Sequence, residues 1–448
     1  MIKFKKRILL IIVIIISGYF FVNSIIGNDK STILKSLLSN EQKKYIVHNI
    51  FPKRHVHILK KEKFGLRFKE MGTDIKTVES YIKLSNNKTL IKYNLIGGFY
   101  YGISNVFPGS GYIDFYEDKI VVLSSRGVLA FKKNLEDNKE NFKQIKNNIN
   151  EFIGVNQFDK NQYFSLKDIF IFNKRVFISF TEEIKEDCWN TSIIYGDMNY
   201  ENIIFRKLFS SKECVHSTNN IDKEFSAHQA GGRIISFDNS HILLSIGEYK
   251  SRHLAQNKKS INGKIIKINI ENNDYEIISM GHRNPQGLYF DKENNFILES
   301  EHGPKGGDEI NLIEVNKINK DKIQNYGWAI SSAGEHYADV ERRSVKYPLY
   351  NSHSEHGFIE PLKSFVPAIG ISEIVKIGDN KYVVSSMGYK RVQDASLYFF
   401  QLNEEKEIIN LEQIKVFERV RDLAFKDNQL YLFMEDTASI GVINLNEN

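Results

Sequence analysis

Six times along the chain an apolar run is followed by a tight polar turn, a second apolar run, and a loop of small, acidic or glycine residues. The copies read GYIDFYEDKIVVLSSRG from Gly111, DIFIFNKRVFISFTEE from Asp168, GRIISFDNSHILLSIGE from Gly232, GLYFDKENNFILESEHG from Gly287, SEIVKIGDNKYVVSSMG from Ser372 and RDLAFKDNQLYLFMED from Arg421. Turn residues such as DKENN and GDN between β-rich runs mark each copy as two antiparallel strands. The segments between copies carry further strand pairs, KIIKINIEN with YEIISMG and SLYFFQLNEE with EQIKVFE. Two inner and two outer strands make a four-stranded blade, and radial repetition of such blades is a propeller. The expected fold is therefore all-β, a six-bladed β-propeller over residues 96–446. The second strand of every copy ends at the same face of the disk, so SSRG, TEE, IGE, SEHG, SMG and MED should converge on one central mouth. The longest gap, between the fourth and fifth copies, holds NYGWAISSAGEHY and a polar insertion, the usual position of a binding loop.

The first 95 residues do not follow this pattern. Lys3, Lys5, Lys6 and Arg7 precede Ile8–Ile26, which carries no charged residue. A bilayer core needs about 20 apolar residues as helix, so this run is just long enough to span. The basic flank would keep the N-terminus in the cytoplasm. We expect residues 1–27 to be an uncleaved membrane anchor, with a cleaved signal peptide as the alternative. Either reading places the folded part outside the cytoplasm, periplasmic or extracellular. Residues 28–95 then read as a tether or accessory segment. Cys188 and Cys214 flank TSIIYGDMNYENIIFRKLF, a hairpin with its turn near Gly196–Asn199. A disulfide is expected there, and two free thiols are the alternative.

Composition narrows the function. Of 448 residues 42% are hydrophobic and 26% charged, enough to bury a large core. Net charge is only +6, and no basic run is interleaved with aromatics, so nucleic acid is not expected as a partner. Candidate chemistry is concentrated between Gly281 and Glu309, GHRNPQGLYFDKENNFILESEHGPKGGDE, and in Asn325–Trp328, NYGW. Two polar, glycine-rich loops there flank a strand pair, and ligand-binding residues tend to sit on loops carried by a rigid sheet.

GHRNPQGL, EHGPKGGDE and NYGW, in that order, resemble the blocks of the soluble quinoprotein sugar dehydrogenases (glucose, aldose-sugar and sorbosone dehydrogenase type). The resemblance is clearest from Phe225 to Tyr337. It implies a six-bladed propeller that oxidises an aldose or related sugar with pyrroloquinoline quinone and Ca2+. It implies that His228, in AHQAGGRI, is the general base, since imidazole is suited to taking a proton near neutral pH. By the same resemblance, Arg283 and Asn284 would reach the quinone oxygens, and the carbonyls of Gly303 and Pro304 would hold the calcium. Arg419 and Arg421, with Lys390 or its neighbour Arg391, would bind cofactor carboxylates. Arg419 and Arg421, two apart on a strand, share a face. Tyr326, Trp328 and Tyr337 would form an aromatic wall for sugar or quinone, with core packing an equal contender for Trp328. Electrons would pass to a respiratory acceptor at the membrane.

Two departures stand out. Ala227 precedes His228 where the family often has a carboxylate. The second blade reads YFSLKDIFIF, where the family usually carries a GGLLG-type segment with a polar contact to the cofactor. These departures keep a second reading open: a non-catalytic propeller that binds a carbohydrate or protein partner. A third, a metal hydrolase of the lactonase kind, would need Glu183, Glu248 and Glu301 to converge at the mouth.

Overall fold

The computed structural model describes residues 75, 77–95, 110–137, 139–154, 157, 160, 163–337, 345–388 and 395–446. Each of the six repeated motifs forms the two innermost strands of a blade. Blade 1 begins with Gly111–Tyr116 and Lys119–Ser124, and blade 2 with Leu166–Phe172 and Arg175–Lys185. Blade 3 begins with Gly231–Ser236 and His241–Ile246, and blade 4 with Pro285–Asp291 and Phe296–Glu301. Blade 5 begins with Ile371–Gly378 and Lys381–Ser386, and blade 6 with Val420–Lys426 and Gln429–Met434. The first strands neighbour one another in sequence order, and that of blade 6 returns to that of blade 1, closing the ring. Short hairpins hold each pair in register. At Asn173–Lys174 and Asp427–Asn428 both turn residues have positive φ, the backbone of a two-residue turn that matches strand twist.

Alternation along the strands explains the packing. Side chains of a strand point to opposite faces in turn, so each blade packs on both neighbours. Val384 faces blade 4 with Tyr382, Ile371 and Ile310, whereas Val383 faces blade 6 with Leu423, Leu430 and Leu432. Six apolar clusters of this kind separate the six blades.

Ring closure differs from the expected boundaries. Thr77–Lys83 and Thr89–Leu95, expected in a tether spanning 28–95, are the outer strands of blade 6. Thr89–Leu95 pairs antiparallel with Ser439–Asn444, with Ile91 opposite Val442 and Tyr93 opposite Ile440. The C-terminal segment supplies only three strands to its blade, and the N-terminal hairpin covers the edge that would otherwise be left open. Lys92 and Glu418, both buried, form an ion pair in this blade. Contacts divide the chain into Met1–Lys63 and Phe64–Asn448, and all described residues belong to the second unit. No helix among the described residues is long and apolar enough to cross a membrane; Ile8–Ile26 lies outside them.

Cys188 and Cys214 are bonded, with Cα atoms 5.3 Å apart. The bridge ties the start of Cys188–Asp197, which pairs with Arg206–Phe209 and Val215–His216, to the far end of the same hairpin. A crosslink 26 residues apart in sequence restricts the unfolded chain by about 3 kcal/mol. Reduction is therefore expected to lower the denaturation midpoint. Urea unfolding with and without dithiothreitol checks this, and Cys188→Ser with Cys214→Ser should reproduce the shift.

Candidate functional site at the central mouth

A cavity of ≈ 530 Å³ opens on the ring axis and draws residues from every blade: Tyr112 from blade 1, Lys167 from blade 2, His228 and Lys250 at blade 3, Arg283 and His302 at blade 4, Met387 from blade 5, and Arg421 and Glu435 from blade 6. His228, Arg283, Asn284, Gly303, Tyr337, Arg419 and Arg421 all line it, so most of the residues singled out from the sequence meet at one place. Lys390 lies outside the described residues.

The others are placed elsewhere. Tyr326 is buried, stacks on His282 with ring centroids 5.0 Å apart, and donates its hydroxyl to the Leu312 carbonyl at 2.6 Å. Trp328 is buried among Ala255, Ala329, Tyr347 and Leu349, with the Arg283 guanidinium 5.4 Å from its ring. Both aromatics support the mouth from behind, and of the expected wall only Tyr337 borders the cavity. Pro304 packs towards Gly334 and does not border the cavity.

His228 opens onto the mouth, and its ring is positioned without a neighbouring carboxylate. The Ser226 hydroxyl lies 3.0 Å from Nδ1, and the Tyr163 ring meets the imidazole edge-on at 4.8 Å. Loss of water around the ring, followed by the positive charges of Arg283, Lys167, His302 and Lys250, holds the imidazole well below its ordinary pKa. At neutral pH it is unprotonated and able to accept a proton.

Arg283 is fixed on several sides. Its Nη1 donates to the His302 carbonyl at 2.8 Å and its backbone N–H donates to Glu301. With its amide turned to satisfy both neighbours, Gln229 accepts from Arg283 Nη2 at 2.8 Å and donates to Glu248 at 2.6 Å. Burial raises the Glu248 carboxyl to about 7. Asn284 Oδ1 accepts from Gly231 N at 3.1 Å and from Gln286 Nε2 at 3.1 Å. Asp308 braces the glycine-rich loop, its carboxylate accepting backbone N–H groups of Gly303, Ile369, Gly370 and Ile371.

Arg419 and Arg421 share Glu435. Arg419 Nε donates to Oε2 at 2.9 Å, and Arg421 donates to Oε1 at 3.0 and 2.8 Å. Burial alone would raise Glu435, but the two guanidiniums outweigh it and hold the carboxyl down at about 2. Among the described residues, the charged side chains lining the mouth are Lys167, Lys250, Arg283, Arg419 and Arg421 against Asp308 and Glu435. Cations therefore exceed carboxylates by three. Glu183 pairs with Lys160, Glu248 lies behind Gln229, and Glu301 accepts main-chain N–H groups. None of the three borders the cavity, and the carboxylates a hydrolase would need do not converge. His282, Glu299 and Glu301 are the one grouping among the described residues with metal-like spacing; all three are buried, and Asn311 bridges the two glutamates.

Lys167, Gln286 and Glu435 also line the cavity, and no sequence motif marks them as site residues. Lys167 lies in the blade 2 run that stood out for lacking glycines, and its Nζ donates to the Tyr163 carbonyl at 3.0 Å. Glu435 is the middle residue of the MED loop, one of the six that converge.

The structure is thus a six-bladed propeller with a histidine and a mainly cationic lining at its axial mouth. Residues 164–442 match the Glucose / Sorbosone dehydrogenase family, and the chain belongs to that family. The match begins upstream of Phe225 and includes the altered second blade. The chain is 30% identical over 218 residues to an uncharacterized protein of Synechocystis, covering 43% of this chain and 50% of the relative. It is 26% identical over 190 residues to the aldose sugar dehydrogenase YliI of Escherichia coli, covering 39% of this chain and 47% of the relative. The chain thus spans about half the length of the curated relatives it matches. The fold also resembles the crystal structure of the soluble aldose sugar dehydrogenase from Escherichia coli, with a TM-score of 0.57 and 18% identity over 74% of this chain and 95% of that one.

Proposed function

We propose that the protein oxidises an aldose or related sugar at the central mouth with pyrroloquinoline quinone, His228 acting as general base. The observation that carries this reading is the convergence of His228, Arg283 and the Arg419–Arg421 pair on a single cavity lined by three more basic side chains than acidic ones. The cofactor has three carboxylates, and guanidiniums match carboxylates through bidentate hydrogen bonds. The residues present therefore fit the group: Arg419 and Arg421 would hold carboxylates, and Arg283 with Asn284 would face the quinone oxygens. When bound, the quinone supplies the hydride acceptor. His228 takes the proton from the sugar hydroxyl as the adjacent C–H gives up its hydride, so the sugar loses two electrons and the carbonyl of a lactone or keto product forms. The Arg283 guanidinium, which lines the same cavity, would offset negative charge developing in the mouth. Calcium would be held by the Gly303 carbonyl, which borders the cavity, with Pro304 beside it. Hard cations accept carbonyl oxygens as ligands. The membrane anchor, the extracytoplasmic location and a respiratory acceptor complete the proposal.

A second reading, a binding propeller without turnover, draws on Glu435, which already takes Nε and Nη2 of Arg421 and Nε of Arg419. The two readings separate in one assay. Full-length protein is loaded with the quinone and Ca2+ and tested on a panel of aldoses with a dye acceptor. Dye reduction that depends on sugar, quinone and protein together supports the dehydrogenase. Saturable binding of the quinone without turnover on any aldose would leave the binding propeller.

A further inference from the structure

We propose that Lys167, from blade 2, holds a carboxylate of the bound quinone cofactor together with Arg421 of blade 6. This rests on the reading of the mouth as a quinone site. It assigns a role to the run YFSLKD, in which a lysine stands in the segment that departs from the family.

The structure makes room for this side chain. Lys167 lies on Leu166–Phe172, the strand of blade 2 nearest the axis. Gly232 of blade 3 faces it with φ +120°, and a Cβ there would come 2.3 Å from the Lys167 Cβ. Only glycine adopts that backbone readily and leaves the space. The stem is therefore packed while the ammonium borders the cavity.

Other buried lysines show what a purely structural one looks like. Lys264 donates to three carbonyls, of Leu254, Ala255 and Asn262, at 2.8–2.9 Å. Lys92 is paired with Glu418. Lys167 has one hydrogen bond, to the Tyr163 carbonyl, and no ion pair among the described residues. An ammonium has three donors, and a buried charge without a counter-ion is unfavourable unless a ligand supplies one. Burial, with Arg421 and Arg126 nearby and only Glu435 opposing, brings its amine down to about 7. The His228 imidazole lines the same cavity, and the Lys167 charge disfavours its protonation. A carboxylate entering between Lys167 and Arg421 would meet two cations and restore the full charge of the amine.

The test is equilibrium titration of full-length protein with pyrroloquinoline quinone, followed by fluorescence quenching, with no sugar present. Lys167→Met should raise Kd by about ten- to a hundredfold, the range for losing a charge-assisted hydrogen bond to a buried anion. Lys167→Arg should recover most of the affinity. In the wild type, binding takes up a proton once the free amine has begun to lose its own. Kd should therefore rise above about pH 7, by up to about tenfold per pH unit, and this slope should vanish in Lys167→Met. Removing a poorly paired cation should not unfold the protein, and the wild-type pH slope is informative even if it does. Wild-type binding with Lys167→Met within twofold at every pH would overturn the role of Lys167 and leave the quinone site standing. Absence of wild-type binding would overturn both.

Discussion

Arg233→Met is expected to lower stability by about 3–5 kcal/mol, the usual consequence of removing one partner from a buried ionic cluster. Arg233 sits on the first strand of blade 3, buried near the ring axis. Its guanidinium pairs with Asp168 of blade 2 at 2.7 Å, with Asp422 of blade 6 at 2.8 Å, and with Glu373 of blade 5. Its Nε also donates to the Gln286 carbonyl of blade 4 at 3.1 Å. Asp422 in turn accepts the backbone N–H of Ile113 in blade 1 at 2.8 Å. One side chain of blade 3 thus bonds directly to blades 2, 4, 5 and 6 and reaches blade 1 through Asp422. Burial raises the carboxyls of Asp168, Glu373 and Asp422, Glu373 to about 8, against the pull of Arg233. One guanidinium cannot neutralise three buried carboxylates, so part of the cluster carries protons at neutral pH. Without Arg233, three acids would face one another with no cation. Thermal unfolding followed by circular dichroism should show Tm lower by about 5 °C for a domain of this size. Arg233→Lys should recover only part, because an ammonium cannot match the planar fork. An unchanged Tm in Arg233→Met would remove this cluster from the account of the fold.

His228→Asn is expected to reduce kcat for sugar oxidation by about 10²–10⁴, the range for losing a positioned general base, while quinone affinity stays within a few fold. Asparagine keeps a polar group beside Ser226 but cannot take a proton. In the wild type the ring is held by Ser226 and Tyr163 and kept unprotonated by its cationic surroundings. Its sign is clear: a histidine with a lowered pKa loses its base function only at acid pH. The activity should therefore show no histidine limb between about pH 6 and 8. Steady-state kinetics with a dye acceptor, alongside quinone titration of the same variant, separates the base from a binding role. Equal losses in affinity and turnover would instead make His228 part of the cofactor pocket.

The six inner strand pairs were legible because alternation and turn chemistry are local. Ring closure was not. Nothing within TVESYIK or TLIKYNL signals that these strands complete a blade begun more than 300 residues later, and the pattern around them reads as a spacer. The Arg233 cluster was hidden for the same reason, since its partners come from separate repeats. At the mouth, His228, Arg283, Arg419 and Arg421 were found through short motifs, and the ring brings them together. Tyr326 and Trp328 were read as a wall because aromatic residues beside a glycine loop suit both a ligand and a core; burial decides for the core. Lys167 does not stand out in the sequence because YFSLKD lacks the family's glycine-rich pattern. What that run provides in its place, a cation at the axis, becomes visible only when Gly232 and Arg421 are placed next to it.

The central claim is that a sugar reduces a quinone held at this mouth. The most direct measurement is anaerobic mixing of quinone-loaded protein with an aldose, without any acceptor, while the absorbance of the quinone is followed. The account predicts loss of the oxidised-quinone band with about one equivalent of sugar oxidised per site, at a rate that falls by at least about a hundredfold in His228→Asn. A band that persists with every aldose, in protein shown to be saturated with quinone and Ca2+, would contradict it.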